Sequence, residues 1–295
     1  MKYISVCEAA KKWSISERSV RNYCALGRVA GARLVGKTWE IPEVAEKPQR
    51  SSRSDKKRTL LGILCEEKSA RLTGGIYHRM QIDMTYNSNH IEGSRLTHDE
   101  TRYIFETNTI GLSEKTVNVD DIVETSNHFR CIDSVIDNAE KTLSERYIKE
   151  LHFLLKIGTS DSRRDWFRVG EYKKLPNEVG GADTTAPEEV SRAMKELLAG
   201  YNQKSTVTLE DIIAFHVAFE RIHPFQDGNG RVGRLIMLKE CLKHNIAPFI
   251  IDEDHKIFYY RGLKEWNTER GYLLDTCLSA QDKFKAVLKK FNIEM

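Results

Sequence analysis

The stretch that most restricts the fold of this chain is 223–234: His223, Pro224, Phe225, Gln226, Asp227, Gly228, Asn229, Gly230, Arg231, Val232, Gly233 and Arg234. Apolar patterns of helical period flank it. Upstream, Leu209, Ile212, Ile213, His216, Phe219 and Ile222 follow Thr208, an N-cap residue with Asp211 three positions on. Pro224 disfavours helical backbone at His223, so this helix is expected to stop there. Downstream, Val232, Leu235, Ile236, Cys241 and Leu242 predict a second helix ending near Asn245. The layout is helix, tight glycine-rich loop, helix.

The residue types in that loop point to one kind of chemistry. Backbone N–H groups of the loop and of the second helix's first turn can converge on an anion. Glycines let the backbone approach phosphates closely. Arg231 and Arg234, three apart, share a helix face and can grip phosphate oxygens with planar forks. Asp227 is a hard oxygen ligand suited to Mg²⁺, and His223 is a proton acceptor near neutral pH. Together they suit attack by a hydroxyl on a nucleotide phosphate.

At these residues the stretch resembles the signature of the Fic (filamentation induced by cAMP) family, HPFx(D/E)GN(G/K)RxxR, at every defined position. The resemblance implies AMP transfer from ATP to a Ser, Thr or Tyr hydroxyl of a protein, itself included. In it, His223 takes the hydroxyl proton and Asp227 holds Mg²⁺. Gly228, Asn229 and Gly230 form the anion cradle. Arg231 orients the β-phosphate and Arg234 the γ-phosphate.

A second landmark is 76–93, where Tyr77, Met80, Met84, Asn87 and Ile91 form one helical stripe and Gly93 stands where a glycine ends a helix. Ser88 and Glu92, four apart, neighbour each other on one face. Ser88-Asn89-His90-Ile91-Glu92-Gly93 resembles the (S/T)xxxE(G/N) inhibitory motif of Fic proteins. That resemblance implies that Glu92 pairs with Arg234, blocks the productive γ-phosphate pose, and could orient water for removal of AMP.

The front of the chain reads differently. Residues 1–58 carry 14 Lys/Arg against 6 Asp/Glu, a net +8 that leaves −5 on the rest of a chain whose total is +3. A basic segment on an acidic body suits a polyanion partner for that segment alone. Helices are expected over 5–13 and 17–25, then a hairpin over 29–41. This order resembles the small winged helix-turn-helix of the MerR and excisionase type. It implies a helix 16–25, with Arg18 and Arg21, in a duplex DNA groove, and Arg28, Arg33 and Lys37 on phosphate. Lys47–Arg58, rich in Ser, Lys and Arg, reads as a linker.

Elsewhere, Thr97 with Glu100 predicts a capping box for a helix to about 106, and helices are expected over 119–140 and from Ser144 to Gly158. Residues 168–186 lack helical period; the resemblance makes them a β-hairpin flap that docks the target. Pro187 is expected to open a helix ended by Gly200. Tyr259, Tyr260 and Asn267 are expected on a further helix, with Tyr260 and Asn267 bordering the adenine in the resemblance. A last helix is expected over about 272–291.

The whole reading is a mainly α chain: winged helix 1–46, linker 47–58 and Fic domain 59–295. Six cysteines without CxxC or metal spacing, no signal-peptide pattern and no membrane-length apolar run suggest a cytoplasmic protein, with homo-oligomerisation left open. Three rivals stay open: a DNA-binding regulator whose second domain only senses nucleotide, a transferase of another phosphate-containing group, and a toxin held off by its own Glu92. Phosphorylating relatives carry Lys where Gly230 stands, which argues against that variant.

Overall fold

A computed structural model describes residues 2–25, 27–36, 38–48, 58–111 and 116–295. The chain divides into two compact units, Met1–Lys57 and Arg58–Met295. Residues 49–57, the greater part of the expected linker, lie outside the described residues, as does Lys37.

The first unit contains β1 (Tyr3–Ser5), α1 (Val6–Trp13), α2 (Glu17–Ala25), β2 (Arg33–Val35) and β3 (Thr38–Pro42). Ser5 and Glu8 close a capping box that starts α1. Val6, Ala9, Ala10 and Trp13 on α1 meet Val20, Cys24, Val29 and Ile41 in a small core. β2 and β3 pair antiparallel as the sequence predicts. The third strand, β1, was not foreseen; three residues carry too little alternation to read. It pairs Ile4 with Ile41 and makes β3 the centre of a sheet ordered β1-β3-β2.

The second unit is mainly helical. Its elements are α3 (Leu60–Ala70), α4 (Ile76–Ile91), α5 (His98–Thr107), α6 (Val119–Asn138), α7 (Glu145–Lys156), β4 (Glu178–Val179), β5 (Ala182–Asp183), α8 (Pro187–Asn202), α9 (Leu209–Ile222), α10 (Asn229–Lys243), α11 (Glu253–Glu265) and α12 (Gly271–Lys290). Capping boxes at Thr97–Glu100 and Thr208–Asp211 start α5 and α9, as expected. Among the described residues no helix is long and apolar enough to cross a membrane, and all six cysteines are unpaired.

α10 is the axis of this unit. Its residues from Arg231 to Leu242 are all buried, so it is covered on every side. Val232, Leu235, Ile236 and Leu238 join Met80, Ile132, Ile148, Leu151, Met194 and Phe219 in the main core. Met237 and Cys241 face a second cluster with Ile91, Ile213, Tyr259, Trp266 and Leu273. Even Lys239 and Glu240 are buried. Lys239 Nζ donates to the carbonyls of Ala139 (3.2 Å) and Lys141 (2.6 Å) and to Glu240 Oε1 (2.8 Å), so neither charge is left alone.

Two expectations need correction. Gly200 does not end α8, which continues to Asn202. Burial of Tyr201 against Phe215, with its hydroxyl donating to Glu240 Oε2 at 3.1 Å, outweighs the cost of a helical glycine. Asn267 is not on a helix, because α11 stops at Glu265 and Trp266 turns the chain into the second core cluster.

Candidate active site

The loop between α9 and α10 is shaped by its own residues. α9 ends at Ile222, and His223 adopts a left-handed backbone, φ 48°, with its N–H bonded to Phe219 O at 2.9 Å. Phe225 is fully buried, and Asn229 brackets it: Oδ1 accepts from Phe225 N and Nδ2 donates to Phe225 O, both at 2.8 Å. The Asn229 side chain is therefore spent on loop closure; what it offers an anion is its place at the start of α10. Gly228 caps α10 at φ 80°, a conformation that a side chain disfavours.

His152 on α7 seals the loop from behind, stacked on Phe225 with ring centroids 3.9 Å apart. Its Nδ1 accepts from Gly170 N (2.9 Å), so Nε2 carries the proton and donates to Asp227 O (3.1 Å). That neutral tautomer agrees with burial, which drives its pKa down to about 3. Residues before the β4–β5 hairpin bind the loop's other edge. Lys173 N donates to Pro224 O (2.8 Å) and Asn177 Nδ2 to Phe225 O (3.1 Å). Of the expected flap 168–186, only 178–183 is hairpin, turned by Gly180 and Gly181, both at positive φ.

His223 is mostly buried, with Nδ1 3.3 Å from the carbonyl of Glu220. A carbonyl only accepts, so the neutral ring bears its proton on Nδ1 and leaves Nε2 as an acceptor. Burial lowers the pKa of this imidazole. The base form thus persists to lower pH than in a free histidine.

Two ion clusters lie beyond the loop, one on each arginine. Arg234 Nε donates to Ser88 Oγ (3.0 Å), and Nη2 to Ser88 O (2.9 Å) and Glu92 Oε1 (2.6 Å). Burial pulls the pKa of Arg234 down, but Glu92 beside it prevails and the guanidinium stays above its ordinary value. Gly230 makes room for this contact: a Cβ there would lie 2.2 Å from Glu92 Oε1. Arg231 turns to other partners, Glu124 and Asp227 Oδ2 (3.2 Å from Nη2), while its buried Nε has no hydrogen-bond partner. Lys156 Nζ contacts Glu124 and lies 2.6 Å from Asp227 Oδ2 and 3.2 Å from Asp161 Oδ2. Burial raises the Asp227 pKa, but Arg231 and Lys156 outweigh it and hold the carboxyl well below the usual range.

The structure therefore brings together His223, Asp227, Gly228, Asn229, Gly230, Arg231, Arg234, Ser88 and Glu92. Tyr260 stands at the edge, its hydroxyl 3.4 Å from Ile91 O at the end of α4. Asn267 is exposed and accepts from Arg221 Nη1 at 2.7 Å, on the solvent side of α9. Sequence reasoning missed Lys156, Glu124 and His152. Each comes from a helix far along the chain, and nothing local marks it.

Glu220 was missed as well. It is buried between His216 and His223, and its Oε1 makes no hydrogen bond. Burial raises its carboxyl pKa to about 8. A raised folded-state pKa means stability that is full below about 4.5 and lost as pH rises through 8. The melting temperature of the Glu220→Gln variant should lack that part of the decline. An unchanged wild-type profile between pH 5 and 8.5 in the variant would refute the burial argument.

Chemically, the arrangement is a helix N-terminus overlain by the Glu92 carboxylate, with a base and an ionised carboxylate in the loop that leads into it. Comparison with known proteins shows what a helical domain with that loop is similar to. The Fic/DOC family model matches residues 142–241. The chain is 26% identical over 224 residues to the protein adenylyltransferase Fic of Aedes aegypti, which covers 74% of this chain and 43% of that protein. To the Drosophila virilis protein of the same name it is 28% identical over 220 residues, 71% of this chain and 42% of the relative. It thus spans less than half the length of these curated relatives. A crystal structure of a Fic domain containing signaling protein from Bacteroides thetaiotaomicron shares the fold: TM-score 0.63, 24% identity, covering 80% of this chain and 98% of that one.

Proposed function

We propose that this chain transfers AMP from ATP to a protein hydroxyl, its own included, and restrains itself through Glu92. The observation that carries this reading is the seating of His223, with Nδ1 toward the Glu220 carbonyl and Nε2 left to accept a proton, at the head of a loop that feeds the α10 N-terminus. His223 would take the proton of the attacking hydroxyl. The N–H groups opening α10 would hold the α- and β-phosphates, with Arg231 on the β-phosphate. An unpartnered buried donor at Arg231 Nε suits an absent acceptor. Fixing the α-phosphate in line would supply most of the rate by position and preorganised charge.

Among the described residues no group of three or more His, Cys, Asp or Glu side chains could hold a metal ion. Asp227 nonetheless fits a share in Mg²⁺ binding, as an ionised hard donor already facing a cation, the Lys156 ammonium. Mg²⁺ held there together with phosphate oxygens would offset charge on the α- and β-phosphates.

Incubating the protein with α-labelled ATP, Mg²⁺ and a cell lysate tests the reading. Label on protein is the expected result. Transfer from γ-labelled but not α-labelled ATP would mean a kinase, and no transfer by any Glu92 variant would favour nucleotide sensing. The His223 geometry favours chemistry over sensing, since sensing needs no base.

For the first unit, the reading is a winged helix that binds duplex DNA, supported by its net charge and by two short helices joined through Ser14–Ser16. α2 carries Arg18 and Arg21, the latter paired to Glu17 at 2.6 Å. Arg33 is bound by Glu40 at 2.8 Å and stacks on Tyr3, so phosphate would have to displace Glu40. The full chain should bind duplex DNA with affinity that falls steeply as salt rises, and a chain lacking residues 1–57 should not. Equal binding by both would sink this part.

A further inference from the structure

Lys156 closes α7 as its last residue, and its side chain is only 3% exposed. A buried ammonium costs several kcal/mol unless opposite charges surround it, so its partners identify what it is for. They are Glu124 from α6, Asp161 at 3.2 Å and Asp227 from the loop at 2.6 Å. Arg231 is the second cation of the cluster, on Glu124 and Asp227. Arg164, 3.4 Å from Asp161 Oδ1 and more exposed, is a third. Three cations against three carboxylates balance, and without Lys156 the cluster would carry −1. Asp227 is also the most exposed of the three carboxylates, with 49% of its side chain exposed. Its Oδ2 atom faces both cations.

We propose that Lys156 is the resident cation of Asp227: it aims the ionised carboxylate and opposes divalent-metal binding by the nucleotide-free protein, so that metal enters only with phosphate. The proposal rests on the reading of Asp227 as a metal ligand. A divalent ion alone would add two positive charges to a balanced cluster, beside an ammonium a few ångströms away. A polyphosphate restores the balance. Lys156 is thus a positioning residue that acts through Asp227, and it makes metal and nucleotide binding mutually dependent.

The test is Mn²⁺ binding to the full nucleotide-free chain, read from the electron paramagnetic resonance of free Mn²⁺. Lys156→Met and Lys156→Gln should each bind Mn²⁺ about tenfold or more tightly than wild type, and Lys156→Arg should resemble wild type. The Gln variant keeps a donor for the carboxylates should the Met variant not fold. Adding Asp227→Ala to Lys156→Gln should remove the gain. No tightening in the folded variant would overturn the proposal, and so would a gain that survives loss of Asp227. The Asp227 reading is judged separately, with a non-hydrolysable ATP analogue present. If Asp227→Ala leaves Mn²⁺ uptake unchanged there, that reading fails and takes the proposal with it.

Discussion

His223→Ala is expected to reduce AMP transfer from α-labelled ATP by roughly 100- to 10,000-fold, the usual range for loss of a positioned general base. Nucleotide affinity should change little, because in the proposed function the ring acts on the hydroxyl and holds no phosphate. The α9 end survives the substitution in part: the His223 N–H bond to Phe219 O is made by the backbone. Alanine is less at ease at φ 48°, so a modest loss of stability accompanies it. The wild-type rate should fall as pH drops through a pKa below the ordinary histidine value of about 6.5, since burial favours the neutral ring. Undiminished transfer by the alanine variant, or an acid limb above that value, would remove His223 from the chemistry.

Glu92→Gly should act in the opposite direction and raise automodification about tenfold or more. Glu92 is bound to Arg234 at 2.6 Å and overlies Gly230, so its carboxylate fills space next to the start of α10. Charge-assisted contacts of this geometry are strong, and a phosphate cannot share the same guanidinium face. Removing the carboxylate leaves Arg234 held by Ser88, still aimed from α10. Arg234→Ala should lower transfer even in the Glu92→Gly background, because the clamp itself is then gone. Automodification of wild type, both single variants and the double, at equal ATP and Mg²⁺, decides the matter. If Glu92→Gly is no more active than wild type, the contact is a helix-end ion pair without regulatory weight.

How much of this was legible beforehand depends on distance along the chain. Helix starts at Thr97–Glu100 and Thr208–Asp211, the stop at Pro224 and the left-handed Gly93 after α4 all have causes within about four residues. Those were read correctly. The Ser88–Glu92 pairing with Arg234 was reached only through the family resemblance, since 142 residues separate Glu92 from Arg234. The same holds more strongly where no resemblance helped. Lys156 meets Asp227 across 71 residues, and Glu124 meets Arg231 across 107.

The errors have the same origin. Gly200 looked like a helix end because its propensity is local, yet the helix runs on because Tyr201 is buried against residues of α9 and α10. Asn267 is expected on the helix of Tyr259 and Tyr260, but that helix stops at Glu265, where Trp266 is buried in the second core cluster. From sequence alone came the helix–loop–helix at 208–245, the residue types of its loop and the basic front segment, because caps, period and charge are properties of neighbouring residues. Tertiary structure alone decided that Glu124 pairs with Arg231 and Lys156, and that Lys156 stands against Asp227. Each of those depends on helices packed around α10, where low solvation makes an ion's partner a matter of position in space.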